Sequence, residues 1–380
     1  MILCVSHAFT GPLLWPLAMD GGGFHLRGAS SRGKSTLLGV AASVWGGPSF
    51  VQSWRGTDNG IEGVASAFSS TLLVLDELYQ VSPQVAGDVV YMLGNGRGKA
   101  RAQANGKVQP TSRWHVPLLS SGEISLEEHM ASGGKLIHAG QETRLLDIAA
   151  DSQRIGAFDT LHGIADGRLF AEQMQREVQL LHGTAGPKFV RKFMKNTSQN
   201  DALNGFVNRF CDQARKIVDL PTGGQVQRAL RRFAVAALAG EMATKFQITG
   251  WAPGVAQNAA FEMFTAWFEE RDGATRSEIK ESVEKTRSYI MNNRSRFLEI
   301  KAGPTGDRDG WRDANWYYVL PEAWKTIHAN TVEAARLHHA AGLLRTQKGN
   351  SLQFKMGREV SGRPRVYAVR ASELVGPADS

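Results

Sequence analysis

Runs of apolar residues, each closed by a polar or glycine-rich break, mark out the first third of the chain. Gly23-Phe-His-Leu-Arg27 reads as a short strand, and Thr36–Ala42 as the start of a helix. Thr71-Leu-Leu-Val-Leu-Asp-Glu77 holds four consecutive apolar residues, the pattern of a strand buried on both faces of a parallel sheet. Trp114–Leu119 predicts a second such strand. From about Gly167 to Phe297 the apolar spacing becomes helical. Helices are expected over Asp201–Val218, Gln225–Phe246, Val255–Glu270 and Thr275–Phe297, with Thr-Gly-Gly and Pro-Gly breaks helping to separate them. Beyond the Gly303–Gly310 loop the pattern mixes. It predicts a strand at Trp316–Leu320, helices at Pro321–Ala329 and Val332–Ala341, and short strands at Leu352–Phe354 and Val366–Val369. The longest apolar run, Ala8–Met19, is interrupted by prolines and lacks the length for a membrane span. No Lys or Arg precedes it, as one does in a signal peptide. It is expected as a buried helix and turn beside the glycine-rich segment Gly28–Ser35.

Composition narrows the picture. The chain has 380 residues, 42% apolar and 21% charged, a normal soluble balance with room for two or three domains. Two distant cysteines, Cys4 and Cys211, argue against a disulfide framework or a zinc site and fit a reducing cytoplasm. The histidines show no metal-ligand spacing. A net charge of +8 permits nucleic-acid binding without establishing it.

The chemistry begins at Gly28-Ala29-Ser30-Ser31-Arg32-Gly33-Lys34-Ser35, followed by Thr36, which fits GxxxxGK[ST] between a strand and a helix. Small residues let backbone N–H groups turn inward around phosphate oxygens, and the helix N-terminus adds partial positive charge. In that pattern Lys34 reaches the β- and γ-phosphates of ATP and the Ser35 hydroxyl ligates Mg²⁺. Asp76 and Glu77 then emerge at the carboxyl end of their strand, where open α/β sheets bind ligands. Asp76 is expected to hold the Mg²⁺ shell and Glu77 to orient the attacking water. Where ring ATPases of the AAA+ type carry a polar sensor, this chain offers Ser120 or Ser121. Where they carry an arginine for the neighbouring subunit's γ-phosphate, it offers Arg144, with Arg113 as a second candidate.

Charge is distributed unevenly. The 34 residues between Asp88 and Glu123 contain no Asp or Glu but hold Arg97, Lys99, Arg101, Lys107 and Arg113. Lys99–Gln103 alternates basic or polar residues with alanine, and Asn105-Gly106 is a two-residue turn signal. A hairpin with one basic face is therefore expected, suited to sequence-independent phosphate contacts. At the other end, Arg336–Arg370 holds eight Lys or Arg against one Glu. Strand, helices and a two-stranded wing there suggest a winged helix-turn-helix. Its recognition helix falls around Val332–Leu344, and wing residues Arg358, Arg363 and Arg365 face DNA.

Together these residues resemble domain-of-unknown-function family 927, ATPases of mobile genetic elements. The segments that carry the resemblance are Ala8–Leu14, Gly23–Ser35, Ser53-Trp54, Leu73–Leu78, Tyr91–Ala102, Ser120–Glu123 and Gly140–Arg144. It runs through about residues 1–295, and the tail resembles the winged helix that commonly follows. Two departures stand out: Arg32 replaces a more usual Thr, and only some 22 residues precede the first core strand, where relatives carry a substantial upstream domain. The resemblance implies an AAA+ ring helicase of the minichromosome-maintenance type: ATP hydrolysis with Mg²⁺, hexamers, translocation along single-stranded DNA, and element-encoded replication proteins as partners. The expected fold is thus α/β, a P-loop NTPase core at 1–165, a helical lid or connecting region at 166–298, and a winged-helix domain at 299–380. Two other readings fit the same residues: an ATP-switched DNA-binding initiator or regulator that works through the winged helix, and a decayed fragment that folds without assembling.

Overall fold

The computed structural model describes residues 1–99, 101–102, 108–109, 111–151, 155–195, 200–217, 224–300, 308–347 and 351–373. They form two compact units, Met1–Phe268 and Glu269–Ser380.

The first unit begins with α1 (Ile2–Ala8) and a single turn, α2 (Gly11–Leu14). There follow β1 (Gly22–Arg27), α3 (Lys34–Ala42), β2 (Val51–Ser53), α4 (Asp58–Ala67), β3 (Leu73–Asp76) and α5 (Pro83–Asn95). A two-stranded ribbon, β4 (Arg101–Ala102) and β5 (Val108–Gln109), leads to β6 (Pro117–Gly122), α6 (Leu126–Ser132), α7 (Ala139–Glu142) and β7 (Leu145–Ala149). Four helices complete the series: α8 (Gly167–Leu180), α9 (Ala185–Met194), α10 (Asn200–Ile217) and α11 (Gly224–Lys245). The next helix, α12, runs unbroken over Val255–Asn292. The two helices expected in that range are therefore one. Gly273 alone lowers helix propensity by about 1 kcal/mol, too little to stop a long helix.

β1, β2, β3, β6 and β7 pair in parallel in the order β2-β3-β6-β1-β7. Alternation along the strands explains why their runs are apolar throughout. Val74 and Leu119 point into a core shared with α1, α3 and α8–α11, while Leu73, Leu75 and Leu118 point into a second core with Trp54, α5 and α6. The Ala8–Met19 run is helix and turn as expected, but not beside the glycine-rich loop. Gly11 lies against the Ser70 and Thr71 carbonyls and Trp15 against His115, at the amino ends of β3 and β6. The loop lies at the carboxyl ends. A run placed before the first strand packs where that strand starts, which its hydrophobicity does not reveal.

In the second unit, β8 (Phe297–Glu299), β9 (Gly310–Arg312), β10 (Trp316–Val319), β11 (Leu344–Arg345), β12 (Phe354–Lys355) and β13 (Arg365–Arg370) form one sheet, antiparallel except for β8–β9. Helices α13 (Pro321–Ile327) and α14 (Thr331–Ala340) pack with Ile290 of α12 on one face of it, around Trp324. Under Trp324 the Thr286 hydroxyl lies 2.9 Å from Nε2 of both His328 and His338. Nδ1 of His338 donates to the Ala334 carbonyl, so its Nε2 accepts from Thr286, and His328 donates to the threonine oxygen. Burial, with His338 as a secondary cause, pushes His328 down to about 4 and lowers His338 as well. Both rings are neutral in the folded unit and charge readily when it unfolds. Their contribution to stability is therefore complete above the ordinary value of 6.5 and is lost as pH falls toward about 4. Hydrogen exchange in α13 and α14, corrected for intrinsic rates, should accelerate between pH 7 and pH 5. Thr286→Val should weaken protection already at pH 7, and unchanged protection in both cases would refute the role given to this cluster.

Candidate nucleotide site

Four loops converge at the carboxyl edge of the parallel sheet. The first joins β1 to α3. Gly28 has φ +156° and Gly33, the N-cap of α3, has φ +95°. A Cβ on Gly33 would lie 2.7 Å from the Phe158 ring, so both conformation and space require glycine there. The Lys34 ammonium is buried and donates to the Gly28 and Ala29 carbonyls at 2.7 and 2.8 Å. Two of its three N–H donors thus brace the loop it belongs to. Ser35, between buried Lys34 and Thr36 in the first turn of α3, is exposed.

β3 delivers Asp76 and Glu77 to the same edge. Glu77 adopts a left-handed backbone, φ 64°, unusual for a residue other than glycine and common at functional turns. β6 lies between β1 and β3 and therefore carries its last residues between the loop and the acidic pair. Ser121 donates to Asp76 Oδ1, and the Glu77 N–H reaches the Ser121 oxygen at 3.4 Å. Ser120 faces the other way along the strand. It accepts from Trp54 Nε1 at 2.8 Å and lies 2.9 Å from Nδ1 of His25, whose Nε2 donates to the Ile124 carbonyl at 3.0 Å. Of the two serines, then, Ser121 touches the acidic pair, and Ser120 is part of a buried brace.

The cavity between these loops measures about 790 Å³, within the range of ~300–1,000 Å³ usual for ligand pockets. Ser30–Thr36, Glu77 and Glu123 line it on one side. Ile155, Gly156, Phe158 and the α8 residues Arg168, Glu172 and Gln175 line the other. Burial raises Glu77 above the ordinary carboxylate value, with Asp76 and Glu123 adding repulsion and Lys34 opposing them.

Several of these residues carried no signal in the sequence reading. β7 was not among the expected strands, yet Leu145-Leu-Asp-Ile-Ala149 is as apolar as its neighbours. The segment after it holds the glycine-rich loop. Asp151 accepts the Ala29 N–H at 2.9 Å, and Ala157 N–H donates to the Arg32 carbonyl at 2.9 Å. Asp151 is held below the usual range chiefly by that Ala29 bond.

Mg²⁺ fits the residues present. Among the described residues no three His, Cys, Asp or Glu gather into a metal site. Ser35 offers a hydroxyl and Asp76 a carboxylate at the carboxyl edge of the sheet, oxygen donors of the kind Mg²⁺ takes with water and phosphate. They are the residues that would hold it.

The remaining expected residues lie elsewhere. Arg144 sits at the amino end of β7, where its carbonyl accepts from Gly23 N–H. That is about 17 Å along β1 from the loop. Its guanidinium lies 4.3 Å from the Tyr91 ring centre and donates to the Gly140 carbonyl and to Asn95. Arg113 forms a bridge with Arg97 at the base of the ribbon.

In the ribbon, Arg101 pairs with Gln109 and Ala102 with Val108. A two-residue Asn105-Gly106 turn would set 102 opposite 109, so the observed register is one residue different. It matches the Arg97–Arg113 bridge, and the Gly98 N–H to Ser112 bond at 3.0 Å extends the same pairing. The turn itself, with Lys107, lies outside the described residues. In the second unit Arg358, Arg363 and Arg365 are all exposed. Lys355 pairs with Arg365 across β12 and β13. No helix is long and apolar enough to cross a membrane among the described residues.

Residues 1–113 match the family model of a domain of unknown function, DUF927, the family the motifs resemble. The serine and arginine segments at 120–123 and 140–144 lie beyond that match. Among solved structures the chain is similar to one described as SCCmec type IV Cch, an active helicase. The TM-score is 0.65 at 19% sequence identity, covering 98% of this chain and 68% of that one. At that identity the likeness is one of fold. A comparison with curated proteins finds no match.

Proposed function

We propose that this chain is the ATP-hydrolysing motor of a DNA helicase or translocase from a mobile genetic element. The observation that carries the reading is the convergence of Lys34, Asp76, Glu77 and Ser121 on one edge of the sheet. β6 between β1 and β3 places Ser121 between the loop and the acidic pair. In this reading 1–165 is an AAA+ core, 166–298 its lid and connection, and 299–380 a winged helix. Subunits form a ring, with a hexamer implied by the resemblance.

The chain's own groups divide the work. The loop N–H groups and Lys34 bind the β- and γ-phosphates of ATP. Mg²⁺, when bound at Ser35 and Asp76, neutralises phosphate charge. Glu77, aimed by its left-handed backbone and by Ser121, accepts a proton from the attacking water. Phe158 and α8 exclude bulk water from the far side. Lys99, Arg101 and Lys107 grip the DNA backbone, and Arg358, Arg363 and Arg365 contact DNA from the wing. The similarity to a structure described as SCCmec type IV Cch, an active helicase, supports the reading at the level of fold.

The test is the ATPase rate of the full chain with and without single-stranded DNA. Stimulation is expected, and it should weaken steeply with salt, because phosphate contacts release counterions. Lys34→Ala should abolish turnover under both conditions. Equal rates with and without DNA would defeat the motor reading and favour an ATP-gated switch.

A further inference from the structure

The sheet of the C-terminal unit has two unlike faces, and register assigns each side chain to one of them. Val366, Ala368 and Arg370 alternate on one face of β13. Opposite them stand Phe354 (across from Val366), Tyr318 and Arg345 (both across from Ala368) and Trp316 (across from Arg370). Directly opposed residues share a face. The other face, with Tyr317, Val319, Tyr367 and Val369, is sealed by α13 and α14.

The first face is partly covered: Tyr318, Val366 and Ala368 are buried with Trp311, Met356 and Val360, while Trp316 and Phe354, packed at the margin of that cluster beside two arginines, keep part of their surface open. The Arg345 guanidinium lies 4.4 Å from the Phe354 ring centre and 5.7 Å from that of Trp316. Arg370 lies 5.7 Å from Trp316 on the neighbouring position. Both arginines are exposed, and both rings are half-buried. Among the described residues neither guanidinium makes a salt bridge. The nearby carboxylate, Asp313, is committed to the N–H groups of Asn315 and Trp316 and to the Tyr318 hydroxyl, each at 2.8 Å. The surroundings are basic, with eight Lys or Arg against one Glu from Arg336 to Arg370.

Half-buried rings beside exposed guanidiniums, of which Arg345 also hydrogen-bonds the Tyr318 side chain, meet the needs of one kind of partner. A base offers a π-face to Trp316 or Phe354, and its phosphates offer charge to Arg345 and Arg370. Duplex DNA hides its base faces and an acidic peptide has none. We propose that this sheet face binds single-stranded nucleic acid, by stacking on Trp316 and Phe354 with Arg345 and Arg370 on the backbone. The surface adjoins the wing, whose strand β12 carries Phe354, and the proposal is independent of the ATPase reading.

Binding of a fluorescent oligo(dT) of about 20 nucleotides to the full chain, read by anisotropy without nucleotide, tests the proposal. Trp316→Leu with Phe354→Leu keeps apolar bulk in the sheet, and affinity for oligo(dT) should fall ~10-fold or more. Affinity for an abasic strand of the same length should stay within about 2-fold, because only charge is read there. Arg345→Gln with Arg370→Gln should weaken both strands and flatten the salt dependence. Oligo(U) in place of oligo(dT) separates RNA from DNA preference. Unchanged oligo(dT) affinity in the aromatic variant, at wild-type melting temperature, would overturn the proposal. So would equal losses on oligo(dT) and the abasic strand. A variant that melts early is replaced by Trp316→Phe with Phe354→Tyr, which should retain binding if stacking is the cause and should not rescue it otherwise. A wild-type chain that hydrolyses ATP but does not bind oligo(dT) would defeat this proposal and leave the nucleotide site intact.

Discussion

Glu77→Gln should bind ATP about as well as the unaltered chain and hydrolyse it ~10²- to 10⁴-fold more slowly, the range a positioned general base supplies. The side chain is isosteric, and nothing in the loop that holds phosphate changes. Asp76 still accepts from Ser121, and the Glu77 backbone still reaches that hydroxyl, so the turn keeps its shape. What is lost is a carboxylate that can take a proton. The same carboxylate predicts the acid limb of the rate profile. Burial and Asp76 raise it, so it is protonated, and idle, at a pH above the ordinary carboxylate range. In the unaltered chain the single-turnover rate should fall on acidification from a higher pH than 4.5, the ordinary glutamate value. The glutamine variant should lack that limb. A variant that hydrolyses within about 10-fold of wild type would remove Glu77 from the chemistry.

Arg144→Ala should lower turnover by ~10³-fold or more, the effect of an arginine that meets transition-state charge, with ATP affinity little altered. The side chain lies at the amino end of β7, at the opposite edge of the sheet from the cavity of its own chain. Its recorded partners are all neutral: a carbonyl, an amide and a ring. Nearby Arg232, buried with an unpaired Nε, is lowered to about 10 chiefly by burial and then by Arg144, so removing Arg144 relieves repulsion instead of orphaning an anion. A folding defect is therefore not the expected outcome. The decisive measurement is mixing. Arg144→Ala keeps Glu77, and Glu77→Gln keeps Arg144, so a mixed assembly contains junctions with both. Activity should return on mixing two inactive proteins. If the mixture stays inactive while each variant folds and binds ATP, Arg144 is a packing residue against Tyr91 and Gly94.

The two cases show how differently residues declare themselves. The loop, the acidic pair and the serines are legible because each stands at a strand end, and strand ends are visible as breaks in apolar runs. Asp151 and Phe158 are not. They follow β7, whose five residues read as an apolar pair, and they act through a backbone bond and a ring contact that have no spacing signature. Ser120 and Ser121 were equivalent on paper. Strand alternation separates them, turning one to Trp54 and His25 and the other to Asp76.

By itself the sequence determined the phosphate loop, the acidic strand end, the basic stretch between Asp88 and Glu123 and the positions of most helices. These depend on local pattern: small residues that permit a turn, apolar periods that fix burial, like charges that cluster. Tertiary structure alone decided the strand order that brings β6 between β1 and β3, the register that fixes the ribbon and the C-terminal sheet, and the edge on which Arg144 lies. Those are outcomes of pairing between distant segments. Parallel neighbours share no turn, and one residue of register moves every side chain to the other face, so neither is written in any single stretch of the chain.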